Sequence, residues 1–262
     1  MDDIAEMGIP PASAPATQRA RGIDRVIAIF QCLHEFRKPQ KVSVIARAIE
    51  APRSTTYAVI NRLLEAGILE TREDGTIFFG PAMHFYGTDY IASKDWMRVA
   101  DREIKLLAEK WGETAQFCAL DGNKYVIQLS ALGNRTFKIS SDIGVRVSIP
   151  WTASGRLFLA SMTPEEILQF VPPEDFRLAD GRILDLQKFL KEVDVAGRQG
   201  YCITQGLIDN FSMCMAAPVK RKDGRVVATV CFVVTRDTSP ERRDELLAAL
   251  LECGARLSQN VF

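Results

Sequence analysis

Apolar positions along the 262-residue chain follow two periods, and the change between them divides the molecule. Up to about residue 95 the spacing is mostly helical. Val26, Ile27, Phe30 and Leu33 share one face of a predicted helix over Ile23 to Phe36. Val42, Ile45, Ala46 and Ile49 give a second, short helix. Pro52 then stands just ahead of a third, whose stripe is Val59, Ile60, Leu63 and Leu64 and which Gly67 ends. Leu69–Thr71 and Thr76–Phe79 alternate around Asp74-Gly75, a hairpin signal. Three helices followed by a two-stranded ribbon predict a helix-turn-helix with a β-wing.

Beyond the hairpin, Ala82 to Ala92 is apolar and aromatic and reads as a connecting helix. Its Phe85, Tyr86 and Tyr90 fit either pairing with a second copy or packing onto the chain's own domains. Trp96 to Trp111 follows as an amphipathic helix with Val99, Ile104, Leu107 and Ala108 inward. Strand periodicity then takes over at Thr114–Leu120 and Lys124–Ser130, separated by the turn Asp121-Gly122-Asn123, and a third run at Arg135–Ser140 extends the meander. A helix is expected from Trp151 to Met162 after Pro150. Thr163 and Glu166 form the sequence signature of a capping box, and a further helix over Asp185 to Arg198 ends at Gly200. Strands are predicted at Tyr201–Gln205, Ser212–Val219 and Arg225–Val234, before a closing helix from Ser239 to Val261. Strands in two sets with helices between them indicate an α+β sheet domain of the sensor type.

Composition narrows the function without fixing it. About half of the residues are apolar, enough for two modest cores. Lys and Arg number 33 against 33 Asp and Glu, so the chain is not a general polycation for nucleic acid. The balance is uneven, with ten Lys/Arg against seven Asp/Glu from Thr17 to Gly80. The first twenty residues, rich in Ala, Pro and Ser, predict a disordered tail. Six cysteines lie in apolar runs without C-x-x-C spacing, which suits buried thiols in a reducing cytoplasm better than a metal site. No membrane-spanning run or signal peptide is read, and no cofactor is expected.

The candidate chemistry sits in two places. On the third helix Arg53, Ser54, Thr55, Thr56, Tyr57, Asn61 and Arg62 lie off the apolar stripe. Arg and Asn suit base edges in the major groove, whereas Ser and Thr suit phosphates or a helix cap. In the second half, Thr152, Ala153, Ser154 and Gly155 open a helix whose first amides lack intrahelical partners. That terminus suits a carboxylate, or Thr152 and Ser154 simply cap it. Phe117, Trp151, Phe211, Met213, Met215 and Phe232 would line an apolar cavity nearby or belong to plain core. A nucleophilic hydrolase is disfavoured, because the only histidines, His34 and His84, are in the head and linker. A thiol-based redox regulator and an adaptor contacting protein instead of DNA remain as rivals.

The chain as a whole resembles the IclR family of bacterial transcriptional regulators from Gly22 to its end. APRSTTYAVINRLLEAGILE (Ala51–Glu70) is similar to the family's recognition helix, and FFGP (Phe78–Pro81) to its wing-closing turn. GETAQFCALDGNKYV (Gly112–Val126), TASGRLFLA (Thr152–Ala160), GYCITQG (Gly200–Gly206) and MAAPVKRKDGRVVATV (Met215–Val230) follow in the family's order. The resemblance implies an N-terminal winged helix-turn-helix over residues 21–81. A linker helix at 82–94 would join it to a GAF-like α/β effector-binding domain at 95–262. It further implies homodimers or dimers of dimers on a palindromic double-stranded operator, gated by a small organic or aromatic acid. Cys214 matches a pocket position of the family, and Thr204 joins it in the implied effector-contacting set. Ala58, Ser148, Pro150 and the segment Leu207–Met213 depart from the family pattern.

Overall fold

The computed structural model describes residues 18–134 and 143–261. They form two compact units that divide between Lys94 and Asp95. The first unit begins with α1 (Gln18–Phe36), α2 (Val42–Ala48) and α3 (Arg53–Glu65). The helix thus starts at Gln18, so Gln18 to Ala20, expected in the tail, are helical; the rest of that expectation lies outside the described residues. Ile29 and Leu33 of α1, Ile45 of α2 and Ile60 of α3 bury their stripes against one another. Each such side chain contributes roughly 1.5–3 kcal/mol on burial.

Gly67 adopts a left-handed φ of 67° just past α3. Its amide donates to Leu64 O and the Ile68 amide to Leu63 O, both at 2.9 Å, so the last carbonyls are satisfied as the chain turns into the wing. The wing pairs β1 (Leu69–Thr71) with β2 (Ile77–Phe79), Leu69 opposite Phe79. Leu69 and Ile77 point into the head's core. Gln40 and Ile77 exchange both backbone hydrogen bonds, at 3.0 and 2.7 Å, which fastens the wing to the connection between α1 and α2. Pro81, at the first position of α4 (Pro81–Ser93), opens a helix that buries none of its residues.

The second unit is a six-stranded antiparallel sheet. Its strands are β3 (Thr114–Asp121), β4 (Lys124–Ala131), β5 (Arg146–Ser148), β6 (Cys202–Gln205), β7 (Ser212–Lys220) and β8 (Val226–Thr235), in the order β5-β4-β3-β8-β7-β6. Helices α5 (Asp95–Trp111) and α9 (Pro240–Val261) cover one face. The other carries α6 (Ala153–Leu159), α7 (Pro164–Phe170) and α8 (Leu186–Gln199). The third run of the expected meander, Arg135–Ser140, lies outside the described residues; the strand seen beside β4 is β5. The single helix expected from Trp151 to Met162 is instead a 3-10 turn, Ile149–Trp151, followed by α6. The break falls at Thr152, which is extended at φ −125°, ψ 152° and serves as the N-cap of α6. The Thr163–Glu166 capping box is present in full at the start of α7.

Candidate nucleic-acid interface and ligand site

The outer face of α3 is built by default, because Ile60 and Leu63 take the inner one. Arg53, Ser54, Tyr57, Asn61 and Arg62 are exposed and Thr55 is half-buried. Thr56 is the exception. It is fully buried, and its hydroxyl donates to Pro52 O at 3.0 Å. The expectation that it meets phosphate is therefore wrong: it sits four residues before Ile60, on the inward stripe. The expected hydroxyl cap is also absent, since no side chain accepts from the first amides of α3. Those amides keep their donors and the positive end of the helix dipole.

Arg62 is not a lone cation: it pairs with Glu65 at 2.8 Å, and both side chains are largely in solvent. Such a pair is weak enough to yield to a phosphate. The start of α2, the outer face of α3 and the wing border a cleft of about 350 Å³, lined among others by Lys41, Ser43, Tyr57, Asn61, Thr71 and Gly75. At the wing tip, Asp74 accepts from the Thr76 hydroxyl at 2.6 Å and the Thr76 amide at 3.0 Å. These bonds hold the Asp74 carboxyl below its ordinary range, hydroxyl first, amide second.

The second cluster lies on the sheet face beneath α6. Gly155 approaches Ile149 so closely that a Cβ on it would stand 2.0 Å from Ile149 O. Only glycine permits this turn. Thr152 accepts from the Gly155 amide at 2.9 Å, so it caps α6, as one of its two sequence readings held. Ser154 is fully buried and accepts from Thr229 Oγ1 of β8 at 2.8 Å. Ala153 is buried in the same layer, and Trp151 Nε1 donates to Asp175 O at 2.7 Å. Arg156, buried as well, donates to Pro150 O and Thr152 O at 3.1 and 2.9 Å and so braces the turn from beneath.

Strand alternation decides which expected lining residues belong here. Cys214 pairs with Thr204 across β7 and β6, and both join the α6 face, half-exposed. Met213, next to Cys214, must face the other way, and it is buried with Met215 and Phe232 against α5 and α9. Phe117 is there too, beside Trp96. The cavity expected from Phe117 and Met213 together with Trp151, Thr152 and Cys214 is thus corrected: the sheet separates the two groups. Phe211 lies in the loop before β7, exposed.

What shares the face with Cys214 is a set of thiols. Cys118 Sγ lies 2.8 Å from the Tyr125 hydroxyl and 3.9 Å from Cys231 Sγ. A hydrogen bond with Cys231, followed by burial, pushes the Cys214 thiol well up; Cys231 is raised first by its bond with Cys118. Burial takes Cys202 from 9.0 up to about 12. Cys202, Cys214 and Cys231 are thereby held as thiols at neutral pH, so the rival reading as a thiolate redox centre gains no support from them. Among the described residues no group of three His, Cys, Asp or Glu is placed to hold a metal. No described helix is long and apolar enough to cross a membrane.

The sequence did not single out Gln116, Thr229, Arg156 or the Lys124–Asp175 pair, in which Lys124 Nζ stands 2.5 Å from both carboxylate oxygens. Counting in twos from Cys118 would have found Gln116, and from Cys231 Thr229.

An uncapped helix with a polar outer face beside a wing, and a separate sheet unit with polar groups under a capped turn, define a class: DNA-binding transcriptional regulators with a ligand-binding domain. The sequence comparisons agree over nearly the whole chain. Residues 88–259 match the model of the bacterial transcriptional regulator IclR C-terminal domain, and residues 22–73 match the IclR helix-turn-helix domain. The chain belongs to the IclR family. It is 26% identical over 233 residues to the HTH-type transcriptional repressor AllR of Salmonella paratyphi A, covering 88% of this chain and 86% of that one. An IclR transcriptional regulator from Alicyclobacillus acidocaldarius superposes with a TM-score of 0.79 at 18% identity, over 90% of this chain and 98% of that one. An IclR homologue from Microbacterium hydrocarbonoxydans, solved with 4-hydroxybenzoate, has a TM-score of 0.77 at 21% identity, over 92% and 98%. These last two likenesses establish the shared fold.

Proposed function

We propose that the protein binds a palindromic operator as a homodimer, and that a small organic or aromatic acid on the α6 face of its sheet changes that binding. The observation that carries the reading is the outer face of α3. Arg53, Tyr57, Asn61 and Arg62 are exposed there on a helix with uncapped first amides. In the major groove Asn61 and Arg53 would read base edges, while the amides, Ser54, Thr55 and the wing would meet phosphates. Two copies are called for by α4, where Phe85 and Tyr86 are 60% and 57% exposed on a helix with nothing buried. The acid is suggested by the 4-hydroxybenzoate in the Microbacterium relative and by Thr204, Cys214 and Ser154 gathered beneath α6.

Family relatives act as regulators, and we read this chain likewise as a binding protein of the cytoplasm without a catalytic role. The test is a gel shift on the promoter beside its own gene, repeated with a panel of organic and aromatic acids that includes 4-hydroxybenzoate. A retarded band that one acid shifts supports the reading. No retardation at low salt refutes it.

A further inference from the structure

Among the described residues, the α6 face of the sheet contains a buried polar group that the fold leaves unanswered. Gln116 lies on β3, one of the two central strands, and is 2% exposed. Its neighbours Ala115 and Phe117 belong to the core under α5 and α9, so alternation turns Gln116 to the opposite face. It pairs across the sheet with Cys231, whose Sγ donates to Gln116 Oε1 at 3.6 Å. The amide oxygen is turned toward Cys231 and Nε2 away from it. Nε2 has no acceptor among the described residues. Buried amide donors are nearly always paired, because leaving one dry forfeits its hydrogen bond to water without return.

The surroundings say what kind of acceptor would fit. Several polar side chains on the face are spent on one another. Tyr125 lies against Cys118, Cys118 near Cys231, and Thr229 donates to Ser154. Cysteine side chains make a soft, weakly polar floor that suits an apolar body better than a second charge. Gln116 Nε2 is then a donor on that floor still able to read an oxygen.

We propose that Gln116 is a specificity-determining residue of the ligand site, and that its Nε2 donates to a carbonyl or carboxylate oxygen of a small molecule whose apolar body rests on the Cys118–Cys231–Cys214 floor. The inference rests on the reading of this face as the effector site, and it adds the group that selects the effector. It also separates Gln116 from the capped turn: Thr152 shapes the site, whereas Gln116 discriminates among molecules that enter it.

The test uses the full chain, labelled with ¹⁵N, and follows the Gln116 side-chain amide by NMR. Benzoate and acetate are titrated as carboxylates, benzamide and acetamide as neutral carbonyls, and phenol as a control without a carbonyl. Movement of the Gln116 Nε2 protons with a carboxylate or an amide, and not with phenol, supports the proposal and tells the two oxygen types apart. Gln116→Met, which keeps the bulk and removes the donor, should then weaken that probe about tenfold or more while leaving operator affinity unchanged. Gln116→Glu, which turns the donor into an acceptor, should weaken it further for benzoate than for benzamide. Probes that shift the Ser154 and Thr229 signals but not Gln116 would overturn the assignment and leave the effector reading standing. If no carbonyl probe perturbs this face at millimolar concentration, the proposed ligand class is wrong, and operator binding remains to be judged by its own gel shift.

Discussion

Glu192 of α8 meets the buried guanidinium of Arg156 of α6 twice, at 2.9 Å through Nε and 2.7 Å through Nη2. The Arg156 side chain is 3% exposed and Glu192 38%. Arg156 also stacks over the Phe189 ring, 5.1 Å from its centroid, and holds the carbonyls of Pro150 and Thr152. One cation therefore joins α8 to the turn that shapes the proposed ligand site. Glu192→Gln leaves the buried cation without its counter-charge. Because solvent reaches Glu192, the loss is smaller than for a dry pair, about 1–2 kcal/mol in urea unfolding. An unchanged midpoint would show that the pair does not brace the turn.

Thr56 and Asn61, on opposite faces of α3, should behave differently. Thr56→Val removes the hydroxyl bond to Pro52 O and should cost about 1 kcal/mol of head stability with operator affinity intact. Asn61→Ala should do the reverse, with an unchanged melting temperature and operator affinity reduced about tenfold or more. Anisotropy titrations at one fixed salt concentration, alongside thermal melts, check both. Equal operator losses in the two variants would contradict the assigned faces.

Pairing through α4 predicts that Phe85→Glu with Tyr86→Glu yields a monomer in sedimentation at micromolar concentration, with the head still folded. Neither residue supports the core, since α4 buries none. A wild-type chain that sediments as a monomer would remove the basis of the dimer.

The raised thiols predict an alkaline limit. Cys202 ionises at its ordinary 9.0 in the unfolded chain but only at about 12 when folded, and burial or neighbouring thiols hold Cys214 and Cys231 up as well. Above pH 9 the unfolded state releases protons that the folded state keeps. Stability present below pH 9 is thus lost as pH rises toward the folded values. Melting of the sheet unit should fall clearly between pH 8 and pH 10, and less so in Cys202→Ala. Slow reaction of the native thiols with iodoacetamide at pH 7.5 checks the same assignment.

Much of this fold is legible from local rules. The helical stripes of α1 to α3, the Gly67 stop, the Asp74-Gly75 turn and the Thr163–Glu166 box each depend on residues a few positions apart. The proposed ligand site is less legible because it depends on which face a strand residue takes. Met213 and Cys214 are equally apolar neighbours in sequence, yet the pleat sends one into the α5/α9 core and the other under α6. Phe117 and Cys118 divide in the same way. The β4 bulge opposite them complicates counting further: Phe117 pairs with Leu129 and Cys118 with Ile127, so Gln128 has no partner in the register. Thr56 misled for a related reason, since a hydroxyl residue looks polar in sequence even where it fills the inward stripe.

The central claim is that a ligand on the sheet unit changes how the head holds DNA. The most direct measurement is operator affinity by fluorescence anisotropy at fixed salt, with and without an acid whose binding calorimetry has established. The account predicts a shift of about fivefold or more, with the reciprocal change in acid affinity when operator is present. An acid that binds in calorimetry and leaves operator affinity unchanged would contradict it.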